Sequence, residues 1–199
     1  VKPKRHKTSV DDAVLDAVRD CVLAVGVRRT TLTDVARRAG VSRMSVYRRW
    51  PDVRALVGDL MTREWLAAAA GARPADDDPR PARERLVEGL TDGARALRAH
   101  PLFRKIIDVD PELLLPYMLD RRGASQDALL EQLADTLRVG HADGSVRTDD
   151  PVRQSRVVLL IVQSFTLSLR TMTDDSDPLL ATEAFEDELR LVLERTLLP

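Results

Sequence analysis

Apolar positions recur at three- and four-residue intervals along almost the whole chain, the spacing of amphipathic helices. Val10, Val14, Ala17, Val18, Cys21, Val22 and Val25 form one stripe, predicting a helix over Val10–Val25 that ends at Gly26. Two short helices are expected at Leu32–Ala39 and Arg43–Arg49. A longer one is expected over Asp52–Ala70, with Val53, Leu56, Val57, Leu60, Met61 and Leu66 facing inward. GARPADDDPRP then reads as a loop, and its Asp76-Asp77-Asp78 run as solvated carboxylates rather than a cation site. Beyond it the helical spacing continues over Pro81–Arg98, Leu102–Asp108, Glu112–Asp120, Ser125–His141, Pro151–Met172 and Leu180–Leu198. Pro81, Pro101, Pro111 and Pro151 suit first helical turns, whereas Pro116 falls inside an apolar segment and should bend or interrupt it. No strand-like alternation persists, so the expected fold class is all-α.

The two short helices belong together. Thr31 followed by Asp34 starts the first in the manner of a capping box, and Val35, Ala36 and Ala39 supply its buried face. Gly40 permits the left-handed backbone of a sharp turn, Val41 can plug the core beneath it, and Ser42 can cap the next helix. That helix buries Val46 and turns Arg43, Met44, Ser45 and Arg48 outward. Two crossed short helices joined by a three-residue turn make a helix-turn-helix, whose second helix fits the major groove of DNA. An αα-corner buried in a larger core is the competing reading; the polarity of Arg43–Arg49 makes its burial costly.

Charge points the same way. The chain of 199 residues has a net charge of -1, yet Val1–Arg54 holds thirteen Lys and Arg against six Asp. The remainder carries 18 basic against 26 acidic residues. A basic front on an acidic body suits contact with a polyanion, though an Arg-rich solvated surface would look similar. Hydrophobic residues make up 44% and aromatics 4%, so the core is expected to be chiefly Leu, Val and Ala. The single cysteine, Cys21, lies on a buried stripe and reads as a packed thiol. VKPKRHK lacks the apolar run of a secretory signal, and Val157–Leu169 is too short to span a bilayer, which predicts a cytoplasmic protein with no membrane partner.

Thr30–Leu56 resembles the DNA-binding domain of the TetR (tetracycline-repressor-like) family of bacterial transcriptional regulators. The likeness rests on Thr30-Thr31, Val35-Ala36, Ala39-Gly40-Val41-Ser42, Tyr47, Trp50-Pro51 and Ala55-Leu56, with the preceding helix and the chain length in keeping. It implies a three-helix DNA-binding domain over residues 1–51, with a basic arm at 1–8, and a helical ligand-binding and dimerisation domain over 52–199. It places Thr31, Thr33 and Tyr47 at phosphate and Arg43, Met44, Ser45 and Arg48 at the groove. Two departures stand out. Met44 occupies a position where the family often has a small residue, and Val53 one where it favours a lysine against the backbone; Arg49 or Arg54 would have to replace that contact.

A symmetric dimer on double-stranded operator DNA follows from two half-sites. Pro151–Met172 is apolar on nearly every side, as a helix buried all round would be, and with the last helix it makes a candidate homodimer interface at Val158, Ile161, Val162, Phe165, Leu189 and Val192. A helix central to one subunit is the alternative. The resemblance further implies a small, largely apolar effector in the body, with Trp65, His100, Phe103, Tyr117, Met118, Gln163 and Phe165 as candidate lining and ordinary core as the plainer reading of each. No cofactor, metal site or catalytic residue is expected: His6, His100 and His141 lack partners at ligand spacing, and no phosphate loop or nucleophile motif is present. The rival classes are a DNA-binding protein without a ligand and, less well matched to the Thr31–Trp50 register, a helical enzyme.

Overall fold

The computed structural model describes residues 9–75 and 77–199, so the basic arm 1–8 and Asp76 lie outside the described residues. Ten α-helices follow one another among the described residues: α1 Val10–Val25, α2 Leu32–Ala39, α3 Arg43–Arg49, α4 Val53–Gly71, α5 Ala82–Ala99, α6 Pro101–Val109, α7 Leu115–Leu119, α8 Ala124–Ala142, α9 Pro151–Ser168 and α10 Thr182–Leu197. No strand occurs among the described residues. Nor is any described helix long and apolar enough to cross a membrane.

Local chemistry explains most of the helix limits. Ser9 caps α1 through a full capping box with Asp12, and Asp150 caps α9 by accepting the Arg153 N–H ahead of Pro151. Pro116 interrupts the expected Glu112–Asp120 helix. A 3-10 turn at Pro111–Leu113 comes first, and α7 then starts anew with the proline in its first turn, where its missing N–H costs nothing. The expected helix to Met172 is α-helical only to Ser168 and tightens into a 3-10 turn at Leu169–Thr171.

Packing divides the chain into two compact units: the chain through Glu64 with Pro101–Gly123, and Trp65–His100 with Ala124–Pro199. The division falls inside α4, not at the expected 51/52, and it assigns α6 and α7 to the first unit.

In the first unit α1 packs on α2 and α6. Val14, Val18, Val22, Val35, Leu56, Leu60, Leu102 and Ile106 are almost wholly buried. Val10 and Val25, expected on the α1 stripe, are exposed: they are the first and last residues of the helix, and Leu15 is buried instead. Val53 is only partly covered, as are Ala39 and Val41; Leu66, also partly covered, belongs to the second unit. Burial pushes the Cys21 thiol up from its ordinary pKa, as a packed core thiol requires.

One buried carboxylate ties this unit together. Asp110, at the end of α6, accepts the Val27 N–H at 2.7 Å, and the Thr30 hydroxyl donates to the Gly26 carbonyl at 2.8 Å. Arg28 approaches Asp110 at 3.5 Å and pairs with Glu112 at 2.7 Å. Gly26 has φ +82°, and a Cβ there would lie 3.0 Å from the Asp110 Oδ2.

The second unit packs α5, α8, α9 and α10 around Leu86, Val87, Leu133, Leu137, Val158, Leu189, Leu193 and Leu197. Glu186 of α10 binds Arg95 of α5 at 2.8 Å and also reaches Arg98.

Removing the Asp110 carboxylate leaves a buried amide without its acceptor. Asp110→Ala should therefore cost about 1–3 kcal/mol in denaturant unfolding. Gly26→Ala should destabilise as well, through its positive φ and its approach to Asp110. The double variant should lose less than the sum, because it relieves the close approach while keeping the backbone strain. Strict additivity would show that the two residues do not interact.

Candidate nucleic-acid interface

The helix-turn-helix is built as its sequence requires. Thr31 caps α2 by accepting the Asp34 N–H at 3.1 Å, and its own hydroxyl donates to the Asp34 carboxylate at 2.6 Å. Gly40 takes φ +67°, a left-handed conformation, and the Val41 N–H returns to the Ala36 carbonyl at 3.1 Å. Ser42 then caps α3 by accepting the Ser45 N–H at 3.1 Å, while the two hydroxyls meet at 2.9 Å. These bonds fix the angle at which α3 leaves α2.

The far end of α3 is pinned separately. Trp50 is buried, and its indole N–H donates to Asp59 of α4 at 2.8 Å. Buried indoles need such an acceptor. Arg49 stacks over the Trp50 ring at 5.4 Å and lies 3.6 Å from Asp11 and 3.9 Å from Asp59. Sequence reasoning placed Trp50 in the motif but missed its acceptor; a tryptophan destined for burial was the available signal.

The arginines of this region fall into two groups. Arg37 pairs with Asp34 at 2.7 Å, Arg38 with Asp20 at 3.2 Å, and Arg49 with Asp11 and Asp59. Arg43 and Arg48 are exposed and have no ion pair among the described residues. Met44 is 76% exposed and Tyr47 49%. Val46 is buried, and Met44 and Arg48 each lie about 160° around the helix from it, one on either side of the outermost line. The face turned to solvent thus carries Arg43, Met44, Tyr47 and Arg48.

Three expected contacts look different in the structure. Arg49 is held toward α1 and α4 by its two carboxylates, so it is a poor substitute for the lysine absent at Val53; exposed Arg54 is better placed. Ser45 is half-buried and its hydroxyl is engaged with Ser42. Thr31 is exposed with its hydroxyl on Asp34, and Thr33 is half-buried.

The expected effector lining is divided between the two units. Trp65 and His100 meet edge to face at 5.6 Å. Gln163 accepts from Gln126 at 3.1 Å, and Phe165 packs on the α5–α10 core. Phe103 is buried in α6, Tyr117 carries Arg121 over its ring at 5.5 Å, and Met118 is 45% exposed; all three belong to the first unit. A cleft of about 690 Å³ in the second unit takes only His100 from the expected residues. Its wall includes Asp78, Arg80, Glu88 and Asp92, so it is not the apolar pocket that was expected.

The expected dimer surface also needs correction. Val158 and Leu189 are 0% and 1% exposed within one subunit and form its own core. Ile161, Val162 and Phe165 pack against that core and are only partly covered. The outward apolar residues are Val152, Val157 and Leu160 of α9, with Val192 of α10. A helix apolar on all sides gives no phase, which is why the sequence could not separate the two faces.

Among the described residues no group of three His, Cys, Asp or Glu side chains is arranged to hold a metal ion. A family model described as bacterial regulatory proteins, tetR family, matches residues 14–60, which span most of α1, all of α2 and α3 and the start of α4. An uncharacterized HTH-type transcriptional regulator of Mycobacterium bovis is 40% identical over 176 residues, 88% of each chain. Among solved structures, the TetR-family transcriptional repressor QsdR of R. erythropolis has a TM-score of 0.69 at 14% identity, over 96% of each chain. A transcriptional regulator from Saccharomonospora viridis, solved in complex with choline, has a TM-score of 0.63 at 16% identity, over 95% of this chain and 97% of that one. At those identities the two structures show a shared fold. TetR-family regulators bind DNA and are transcription factors, not enzymes. With the helix-turn-helix in place and a relative this similar along most of its length, the chain belongs to the TetR family of helix-turn-helix transcriptional regulators.

Proposed function

We propose that this regulator is a repressor that binds an inverted-repeat operator as a homodimer and is released by a small-molecule effector held in its helical body. The observation that carries the DNA part is the division of the arginines. Arg37, Arg38 and Arg49 are neutralised by neighbouring carboxylates, whereas Arg43 and Arg48 have no ion pair among the described residues and lie on the outward face of α3. Guanidinium groups left in this state suit guanine edges and phosphates. Tyr47 flanks them and can donate its hydroxyl to phosphate. Dimerisation is supported by Val157, Leu160 and Val192, apolar side chains that face solvent in a single subunit. Repression and effector release draw support from the solved relatives, one titled a transcriptional repressor and another solved in complex with choline. In this chain His100, which borders the cleft and meets Trp65, is the proposed point of effector contact.

A second reading has its own support. The core of the second unit is closely filled, with Leu137, Val158, Leu189, Leu193 and Leu197 at 0–1% exposure, as a DNA-binding protein without an effector would have it. Screening metabolites by release of bound DNA separates the two. Under the repressor reading an effector lowers DNA affinity, and DNA lowers effector affinity by the same factor. Binders that leave DNA affinity unchanged would favour the constitutive protein.

On DNA selected from a random library, Arg43→Ala and Arg48→Ala should each cost about 1–3 kcal/mol and relax preference at one base pair. Arg49→Ala should cost less, since its charge is already spent within the protein. Tyr47→Phe should weaken binding uniformly across sequences. Fluorescence anisotropy titrations test all four, and equal losses at Arg48 and Arg49 would contradict the division of the arginines.

The dimer has an equally direct check. Leu160→Glu changes an exposed side chain, so circular dichroism should stay helical while sedimentation shifts from about twice the 22.2 kDa chain mass to the monomer. Val158→Glu places a charge in the subunit core and should unfold the chain instead. A Leu160→Glu protein that still sediments as a dimer would remove this face from the interface.

A further inference from the structure

We propose that Met44 is a base-reading residue that recognises the C5-methyl group of a thymine in each operator half-site. The inference rests on the DNA-binding reading above and adds to it the identity of one base.

Met44 is the most exposed side chain among the large apolar residues of the first unit described here, at 76%. It occupies the second position of α3, and the early residues of such a helix are those that reach base edges. It sits beside the outermost line of the helix, with Arg48 one turn further along and about 40° away around the axis. That turn advances about 6 Å, close to two base-pair steps of about 3.4 Å. Met44 and Arg48 can therefore address positions about two base pairs apart in one groove.

The chemistry narrows the choice. Ser45 has its hydroxyl on Ser42, and Val46 faces the core, so the early turn of α3 offers the groove only Arg43 and Met44. A thioether on an unbranched chain is a poor hydrogen-bond acceptor and has no donor. It gains little from the polar atoms of guanine, cytosine or adenine. The thymine methyl is the apolar group that the four base pairs present in the major groove. Arg43 and Arg48, both without ion pairs among the described residues, hold the helix against the duplex and bring that methyl within contact. Contact would cover the methyl and the exposed end of Met44 together, which is the hydrophobic contribution to specificity here.

The test uses the full chain and DNA obtained by selection from a random library. In the selected half-site each thymine is replaced in turn by deoxyuridine, which removes the methyl and keeps every hydrogen-bonding atom. One position should lower the affinity of the unaltered protein about fourfold, the factor for losing burial of one methyl-sized group. Met44→Ala should bind the thymine-containing DNA with a similar loss and should show no further loss on deoxyuridine at that position. Circular dichroism of the variant should match the unaltered protein, since the side chain faces solvent. If no thymine is sensitive, or if Met44→Ala keeps the same sensitivity, the assignment of Met44 is overturned while DNA binding stands. If no DNA is selected at all, the DNA-binding reading itself fails and this inference with it.

Discussion

A helix of seven residues cannot hold its own shape in water, and α3, the proposed reading helix, is such a helix. The hydrogen bond from the Trp50 indole to Asp59 is what makes α3 a fixed object. It satisfies the one polar atom of a large buried ring, so the ring can anchor the end of α3 against the start of α4. Ser42 and Gly40 do the corresponding work at the other end, by capping α3 and setting the turn from α2. Between these ends Val46 is the only residue of α3 that is buried, and Arg43, Met44, Tyr47 and Arg48 are left facing solvent. Rigidity is thus supplied from outside the helix.

The same economy governs charge. A basic segment binds DNA only through charges not already satisfied within the protein. Five of the arginines between residues 31 and 50 are equally basic on paper, yet Asp34, Asp20, Asp11 and Asp59 engage three of them. Exposed pairs of this kind add little stability. Their effect is to direct Arg37, Arg38 and Arg49 along the protein surface, which leaves Arg43 and Arg48 without an ion pair among the described residues. Composition counts all five alike; only the geometry separates them.

What the sequence reveals follows the range of the interactions involved. The limits of α1, α2 and α3 are legible to the residue because caps and apolar spacing are local signals: Ser9, Thr31, Ser42 and Gly40 lie within a turn of the ends they set. The exposure of Arg43, Met44 and Arg48 is legible for the same reason, whereas Ser45, expected outward with them, is half-buried with its hydroxyl on Ser42. The phase of α9 is not, because its apolar residues circle the helix and nothing local says that Val158 faces the core and Leu160 faces solvent. An effector lining is hard to read for a related reason, since aromatic and polar residues scattered through helices carry no mark of convergence. Asp110 is the clearest case: its carboxylate meets an amide 83 residues away, and nothing near Val27 or Asp110 announces the pairing.

That long-range pairing also bears on what counts as the reading head. A boundary at residue 51 follows the motif, but the packing unit reaches Glu64 and takes in Pro101–Gly123. A segment ending at residue 51 lacks Asp59, the acceptor of Trp50, and Asp110, the acceptor of Val27. It also lacks Leu56, Leu60, Leu102 and Ile106, all essentially buried. The three helices that match the family's motif are therefore not self-sufficient here. The turn that leads from α1 into α2 is held by a side chain at the end of α6. Arg28 approaches the same carboxylate at 3.5 Å, so both the backbone and a side chain of that turn are tied to a residue 83 positions beyond Val27.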